Sequence, residues 1–198
     1  MKSIGKRAFA ALAVLLALLI PALTTAFVSL DDRMTERVLP VDINPVPAFD
    51  ASQVSEDVLW LARCAYSETK RADEQELVAW VIRNRVETEY RGQDTYRGVV
   101  LDPYQFSAFN PGSRKRRLFM SLGAYSDAQG WQTALRVAHE VYYASQTSRP
   151  FPAETRHFYS EQSMRGRLRP VWAEGETPVQ AAGYSIDPRR FRFYTDIW

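Results

Sequence analysis

Cysteine is almost missing from this sequence. Cys64 stands alone, so the chain can close no disulfide within itself. Histidine is nearly as scarce: His139 and His157 are too few and too far apart in the chain to suggest a metal centre. No CxxC, no HExxH and no glycine-rich phosphate loop occurs. Dithiol redox chemistry, zinc peptidase chemistry and nucleotide binding lose their usual signatures, and neither a metal nor a cofactor is expected. An excess of charge of one sign is lacking too. Of the 25 basic residues, Lys2, Lys6 and Arg7 lie at the N-terminus, which leaves 22 against 23 acidic ones in the remainder. No nucleic-acid partner is expected from that balance. Local basic runs remain at 114–117, at Arg165, Arg167 and Arg169, and at Arg189, Arg190 and Arg192. Such runs are ordinarily solvated loops, and they can also attract an anionic polymer. No internal repeat is visible.

Long apolar runs are limited to one, at 8–23, directly behind Lys2, Lys6 and Arg7. Small residues follow at Thr24, Thr25 and Ala26, so 1–26 reads as a signal peptide. Left uncleaved, 8–30 would serve as a signal anchor. Pro21 interrupts the run, and a spanning helix needs about 20 apolar residues, so export with cleavage is the favoured reading. Either way the globular part is expected outside the cytoplasmic membrane, in the periplasm or cell envelope, touching the membrane only through its N-terminal segment. Residues 27–52 hold Pro40, Pro45 and Pro47 and read as an extended linker. Residues 53–198 are long enough for one core, hence one domain.

Within that domain, helical periodicity comes first. Val58, Leu61, Ala62 and Ala65 recur at three- and four-residue spacing behind a capping Ser55, which predicts a helix to about Thr69. Asp73, with Glu76 three residues on, predicts a second helix opened by a capping box. Its apolar face is Leu77, Val78, Val81, Ile82 and Val86, with Trp80 on the flank and Asn84 and Arg85 available for hydrogen bonding. Residues 96–101 predict a short helical piece, ended by Asp102-Pro103, and Asn110-Pro111-Gly112 is a turn signal. The longest clean helix is expected over 129–145, with Trp131, Leu135, Ala138, Val141 and Tyr142 on one face and His139 at or near the surface. His157-Phe158-Tyr159, Pro170-Val171-Trp172 and Phe191-Arg192-Phe193-Tyr194 suit short strands. The fold class is α+β, mainly helical, with a small β part near the C-terminus.

Two stretches invite chemistry. Glu68 continues the apolar stripe of the first helix, three residues after Ala65. A carboxyl there is poorly solvated, its pKa rises, and it can donate a proton near neutral pH. Spacing alone equally describes a helix end whose last carboxylate faces water, and that ordinary reading is the more common one. Gln105, Phe106 and Ser107 set polar groups about an aromatic ring in a loop, a surface suited to sugars, although such a ring is more often packing. Cys64 sits mid-helix among small residues, the setting of a buried, inert thiol. A cysteine nucleophile paired with His139 or His157 is the weaker reading.

Several of these pieces, in order, resemble the cell-wall hydrolase family of the spore cortex-lytic SleB type. Leu61-Ala62-Arg63 with Tyr66-Ser67-Glu68 is similar to its Ala-Arg … Tyr-x-Glu helix. The run Val78-Ala79-Trp80-Val81-Ile82-Arg83-Asn84-Arg85-Val86 is similar to its Val-x-x-Asn-Arg-Val helix. Val99-Val100 with Gln105-Phe106-Ser107 is similar to its Gln-Phe-Ser segment. The helix from Trp131, then His157-Phe158-Tyr159, Pro170-Val171-Trp172-Ala173 and Phe193-Tyr194 follow more loosely. The family's Ala-Arg-Gly-Glu after its glutamate is replaced here by Thr69-Lys70-Arg71-Ala72-Asp73-Glu74, and the basic insert at 113–124 is longer.

The resemblance implies a lysozyme-like fold and cleavage of peptidoglycan glycan strands between N-acetylmuramic acid and N-acetylglucosamine. It implies Glu68 as the catalytic acid. Tyr66, Gln105, Phe106 and Ser107 become candidate lining of the sugar groove, with His157 and Tyr159 on its other wall. A hydrolase of this kind needs a second carboxylate, whereas a lytic transglycosylase needs only one. Among Asp73, Glu74, Glu76, Asp94 and Asp102 no partner stands out, because capping, turn or helix-dipole roles account for all but Asp94. A lytic transglycosylase is therefore favoured over a muramidase. The rival class is a non-catalytic peptidoglycan-binding or scaffolding module. An enzyme able to lyse its own cell also invites control by a protein partner.

Overall fold

The first helix, α1 (Glu56–Glu68), is buried from Val58 to Tyr66 on every side. Ser55 caps it, its hydroxyl accepting from the Val58 N–H at 3.3 Å, and Glu56 and Asp57 suit the positive end of the helix dipole. A helix apolar all round has to lie at the centre of a domain. α2 (Ala72–Glu87) lies against it and is buried from Leu77 to Arg85. α3 (Tyr96–Leu101), α4 (Arg116–Met120) and α5 (Trp131–Tyr143) complete the helical part, and α1 packs against all of them. Trp80, Trp131, Phe106, Phe109, Leu61, Leu77, Ile82 and Leu135 fill the shared core, each apolar side chain contributing about 1.5–3 kcal/mol.

The structure is a computed structural model that describes residues 46–164 and 169–197. These belong to one compact unit, Asn44–Trp198. The signal segment at 1–26, most of the linker at 27–52, and Arg165 and Arg167 lie outside the described residues. The end of the described chain forms a two-stranded antiparallel sheet, β1 (Thr155–Tyr159) with β2 (Arg192–Thr195). His157 pairs with Tyr194, Phe158 with Phe193 and Tyr159 with Arg192, after a bulge near Arg156. A second small core forms there from Tyr159, Ala173, Tyr194 and Ile197. The fold is mainly helical with a small sheet, as its periodicities predict.

Four local expectations change. The second helix opens at Ala72 with Arg71 in the cap position and no side-chain cap bond, so the Asp73–Glu76 capping box does not form. Asp73 instead pairs with Arg71 at 3.2 Å. Pro170-Val171-Trp172 is a 3-10 turn at Val171–Ala173 in place of a strand, its proline unable to donate to a ladder. The long helix is shorter than predicted, because Gly130 stands before it at φ +75° and Ala144 is extended. His139 is buried, its ring against Phe49 and Tyr143.

Candidate active site

α1 ends at Glu68, where Thr69 turns the chain extended. The carboxyl is half-buried at the rim of an open cleft of about 580 Å³. Burial drives its pKa up to about 7, against the Ser67 hydroxyl and the charges of Arg85 and Lys70, which pull it down. Its place in the last turn acts with burial, since that end of a helix carries partial negative charge. A group half-protonated near neutrality can both give and take a proton. Beneath it Cys64 is fully buried, and burial, then Glu68, push its thiol well above the ordinary range. That is an inert thiol.

Arg85 comes to the same cleft from α2. It is buried, and burial lowers its pKa to about 10. Its Nε donates to the Arg156 carbonyl at 2.7 Å and its Nη1 to Gln105 Oε1 at 3.3 Å. The guanidinium lies over the rings of Tyr90 and Phe106. Gln105, Ser107 and Asn110 line one side of the cleft, Phe158, Tyr159 and Ser160 the other. The cleft is thus lined by the end of α1, by Arg85 of α2, by the loop after α3 and by the segment that begins at β1.

Of the residues singled out from sequence, Glu68, Gln105, Ser107 and Tyr159 share this cleft. The other three lie elsewhere. Tyr66 faces the core, its hydroxyl donating to the Gln129 carbonyl at 2.8 Å and its ring packed edge-on against Phe119 and Trp131. Phe106 is buried in the main core. His157 sits behind the wall, its Nε2 2.9 Å from the Tyr90 hydroxyl and its ring against Trp172. Burial, then the charges of Arg85 and Arg156, lower its pKa to about 4, so it is neutral at ordinary pH.

Tyr104, Asn110 and Arg190 line the cleft without having been singled out for it. Asn110 reads as a turn residue and Arg190 as part of a solvated basic run. Arg190 in fact binds Glu74, its Nη2 2.8 Å from Oε2. Glu74 is itself buried and also accepts from the Thr69 hydroxyl at 2.5 Å. Tyr104 is 83 % exposed. Its φ of +67° is left-handed, which costs a residue with a side chain about 1–2 kcal/mol. Asn110 Oδ1 accepts its N–H at 2.9 Å and fixes that conformation.

Glu68 is the sole carboxyl lining the cleft among the described residues. Asp102 is held by Arg91 at 2.6 Å, Glu161 by Arg192 at 2.6 Å, Asp73 and Glu74 as above, and Asp94 is exposed elsewhere. No group of His, Cys, Asp and Glu able to hold a metal occurs among the described residues. In class this is a mainly helical protein with an acid-bearing polar cleft. The chain belongs to the cell wall hydrolase family, whose model matches residues 69–185, and its substrate class is peptidoglycan. The match opens one residue after Glu68 and takes in α2, the Gln105–Ser107 segment and β1. No curated protein and no solved structure matches the chain.

Proposed function

We propose that the protein is a lytic transglycosylase, cutting peptidoglycan strands between N-acetylmuramic acid and N-acetylglucosamine with Glu68 as both acid and base. The observation that carries this reading is a cleft carboxyl, lone among the described residues, whose pKa burial raises to about 7. Protonated Glu68 gives its proton to the glycosidic oxygen, and the bond from that oxygen to the muramic anomeric carbon breaks as positive charge builds on the ring. The carboxylate so formed takes the proton of the muramic C6 hydroxyl. That oxygen closes on the anomeric carbon and leaves an anhydro ring. The attack is intramolecular, so no water has to be held and no second carboxylate is required. Gln105 and Ser107 supply hydrogen bonds along the strand. Export, by a cleaved signal peptide or an anchor at 8–30, would put the enzyme beside its substrate in the cell envelope.

The test is mass spectrometry of purified peptidoglycan digested with the full chain and with Glu68→Gln. Products one water lighter than those of a muramidase, reduced about 10²–10⁴-fold in Glu68→Gln, are expected. Products of ordinary hydrolytic mass would overturn transglycosylation in favour of a muramidase. Sacculus binding with no products from the parent would favour a binding module. The rate should also fall as pH rises through about 7, because the acid form of Glu68 is then lost.

A further inference from the structure

We propose that Tyr104 is an exposed sugar-stacking platform at the mouth of the Glu68 cleft, in a subsite for an N-acetylated sugar whose acetamido oxygen accepts from the side-chain amides of Gln105 and Asn110. The proposal rests on the glycan-cleaving reading and deepens it.

The first observation is the ring itself. Tyr104 is the most exposed of the large apolar side chains among the described residues, and it borders the cleft. The ring that the Gln105-Phe106-Ser107 segment buries is Phe106; the ring it leaves to solvent is its neighbour Tyr104. The second is the backbone. A left-handed φ of +67° suits glycine or asparagine, yet tyrosine stands there, with Asn110 clamped on its N–H. A strained, solvent-facing aromatic gains nothing for the fold, whereas the apolar face of a pyranose ring is suited to such a flat surface.

The third observation is the direction of the amides. Arginine has only donors, so the Gln105 atom that meets Arg85 Nη1 is the carbonyl oxygen. The backbone N–H of Tyr104 is likewise a donor, so the Asn110 atom that meets it is also the carbonyl oxygen. Both side-chain NH₂ groups are left over, on residues that line the cleft. Among the described residues, the cations that line the cleft are already engaged: Arg190 by Glu74, and Arg85 by the Arg156 carbonyl and Gln105. What remains among the described residues of this wall is the Ser107 hydroxyl and a pair of neutral amide donors beside an aromatic face. Neutral donors match a neutral carbonyl better than a carboxylate, and the acetamido group is the neutral carbonyl that such sugars carry.

The experiment is calorimetric titration of the full chain carrying Glu68→Gln, which stops turnover, with an N-acetylglucosamine tetramer and with the glucosamine tetramer lacking acetyl groups. Tyr104→Asn keeps a residue at ease in the left-handed conformation and removes the ring. It should weaken the acetylated tetramer about tenfold without lowering the melting temperature, and Tyr104→Phe should restore binding. Asn110→Asp keeps the oxygen that holds the Tyr104 N–H and removes the donor, and it should narrow the preference for the acetylated tetramer. Undiminished binding by Tyr104→Asn overturns the platform; an unchanged acetyl preference in Asn110→Asp overturns the donor pair. A parent that lyses sacculi yet binds neither tetramer overturns the subsite alone. A parent that does neither overturns the glycan-cleaving reading as well.

Discussion

The two walls of the cleft are held by different physics. The helical wall, α1 and α2, is held by apolar packing in the main core, against the other helices. The opposite wall, from β1 through Ser160 to Arg190 and Phe191, has only short elements and a small core of its own, and it reaches the main core through Phe158, Phe191 and Phe193. Polar side chains of α2 tie it down as well. Asn84 Nδ2 donates to the carbonyls of Pro152 at 3.1 Å and Thr155 at 2.9 Å, Arg85 to that of Arg156, and Glu74 binds Arg190. The three clamps leave one helix and reach four residues of the facing segment. Asn84 and Glu74 thus help to set the width of the cleft without lining it, whereas Arg85 and Arg190 also face into it.

The largest effect should come from the ionic clamp, whose carboxylate is buried although its Arg190 guanidinium is partly exposed. Glu74→Ala leaves the Arg190 guanidinium without its partner and strips the acceptor from the Thr69 hydroxyl. A loss of about 3 kcal/mol is expected, measured by denaturant unfolding. If the facing wall stood by its own packing, the loss would stay near that of a surface substitution. The pH dependence sharpens the point, because the clamp carboxyl and the cleft carboxyl titrate in opposite senses. Burial alone would raise the pKa of Glu74, yet the hydrogen bonds from Arg190 and Thr69 and the charges of Arg190 and Arg71 hold it below its usual 4.5. Its folded form binds fewer protons than its unfolded form, so its contribution is present above 4.5 and is lost as pH falls below it.

Glu68 runs the other way. Its folded pKa of about 7 exceeds the unfolded 4.5, so the folded state holds the extra proton. Its contribution is whole below 4.5 and is lost as pH rises through 7. Glu68→Gln, neutral at every pH, should stabilise the protein by about 1–3 kcal/mol at about pH 8 and change little near pH 4. Thermal unfolding of the two proteins across this range gives the answer. A parallel pair of curves would mean that Glu68 is solvated and no better poised than any surface carboxylate.

Next comes Asn84. Its side chain is fully buried, and Asn84→Ala leaves the Pro152 and Thr155 carbonyls without that donor. A cost of about 1–3 kcal/mol is expected. Because those carbonyls belong to the facing wall, KM for sacculi should rise more than kcat falls. Equal effects on both would place Asn84 in support of Glu68 instead.

This contrast also marks what could be read from sequence. The helical wall was legible because its apolar residues repeat with the helix period: Val58, Leu61, Ala62 and Ala65 place α1, and Glu68 follows on the same stripe. Periodicity could not supply the acid's role, since a helix end facing water has the same spacing; the raised pKa comes from what surrounds it. The facing wall was legible only as aromatic fragments. Its ties join residues 74 and 190, or 84 and 155, and no local pattern connects such distant positions. The same limit misled at the start of α2, where Asp73 and Glu76 have capping-box spacing but Arg71 takes Asp73 and the 190 segment takes Glu74. It misled again at Phe106 and Tyr66, whose rings the core claims, while Tyr104 two positions before Phe106 keeps its ring in solvent.

The smallest effect tests whether the helical wall is packing alone. Cys64 lies one turn before Glu68, fully buried, and its thiol is pushed well above the ordinary range by burial and then by the Glu68 charge. Cys64→Ala removes one buried sulfur and should cost about 1 kcal/mol. It takes away no hydrogen bond to Glu68, so the pH–rate profile should keep its fall near 7, and a thiol reagent should leave turnover of the folded parent intact. A profile displaced by more than one pH unit would show that Cys64 sets the protonation of the acid above it. Turnover abolished by both the reagent and the substitution would move the chemistry from the glycan to a thiolate, and the helical wall would then be more than a support for Glu68.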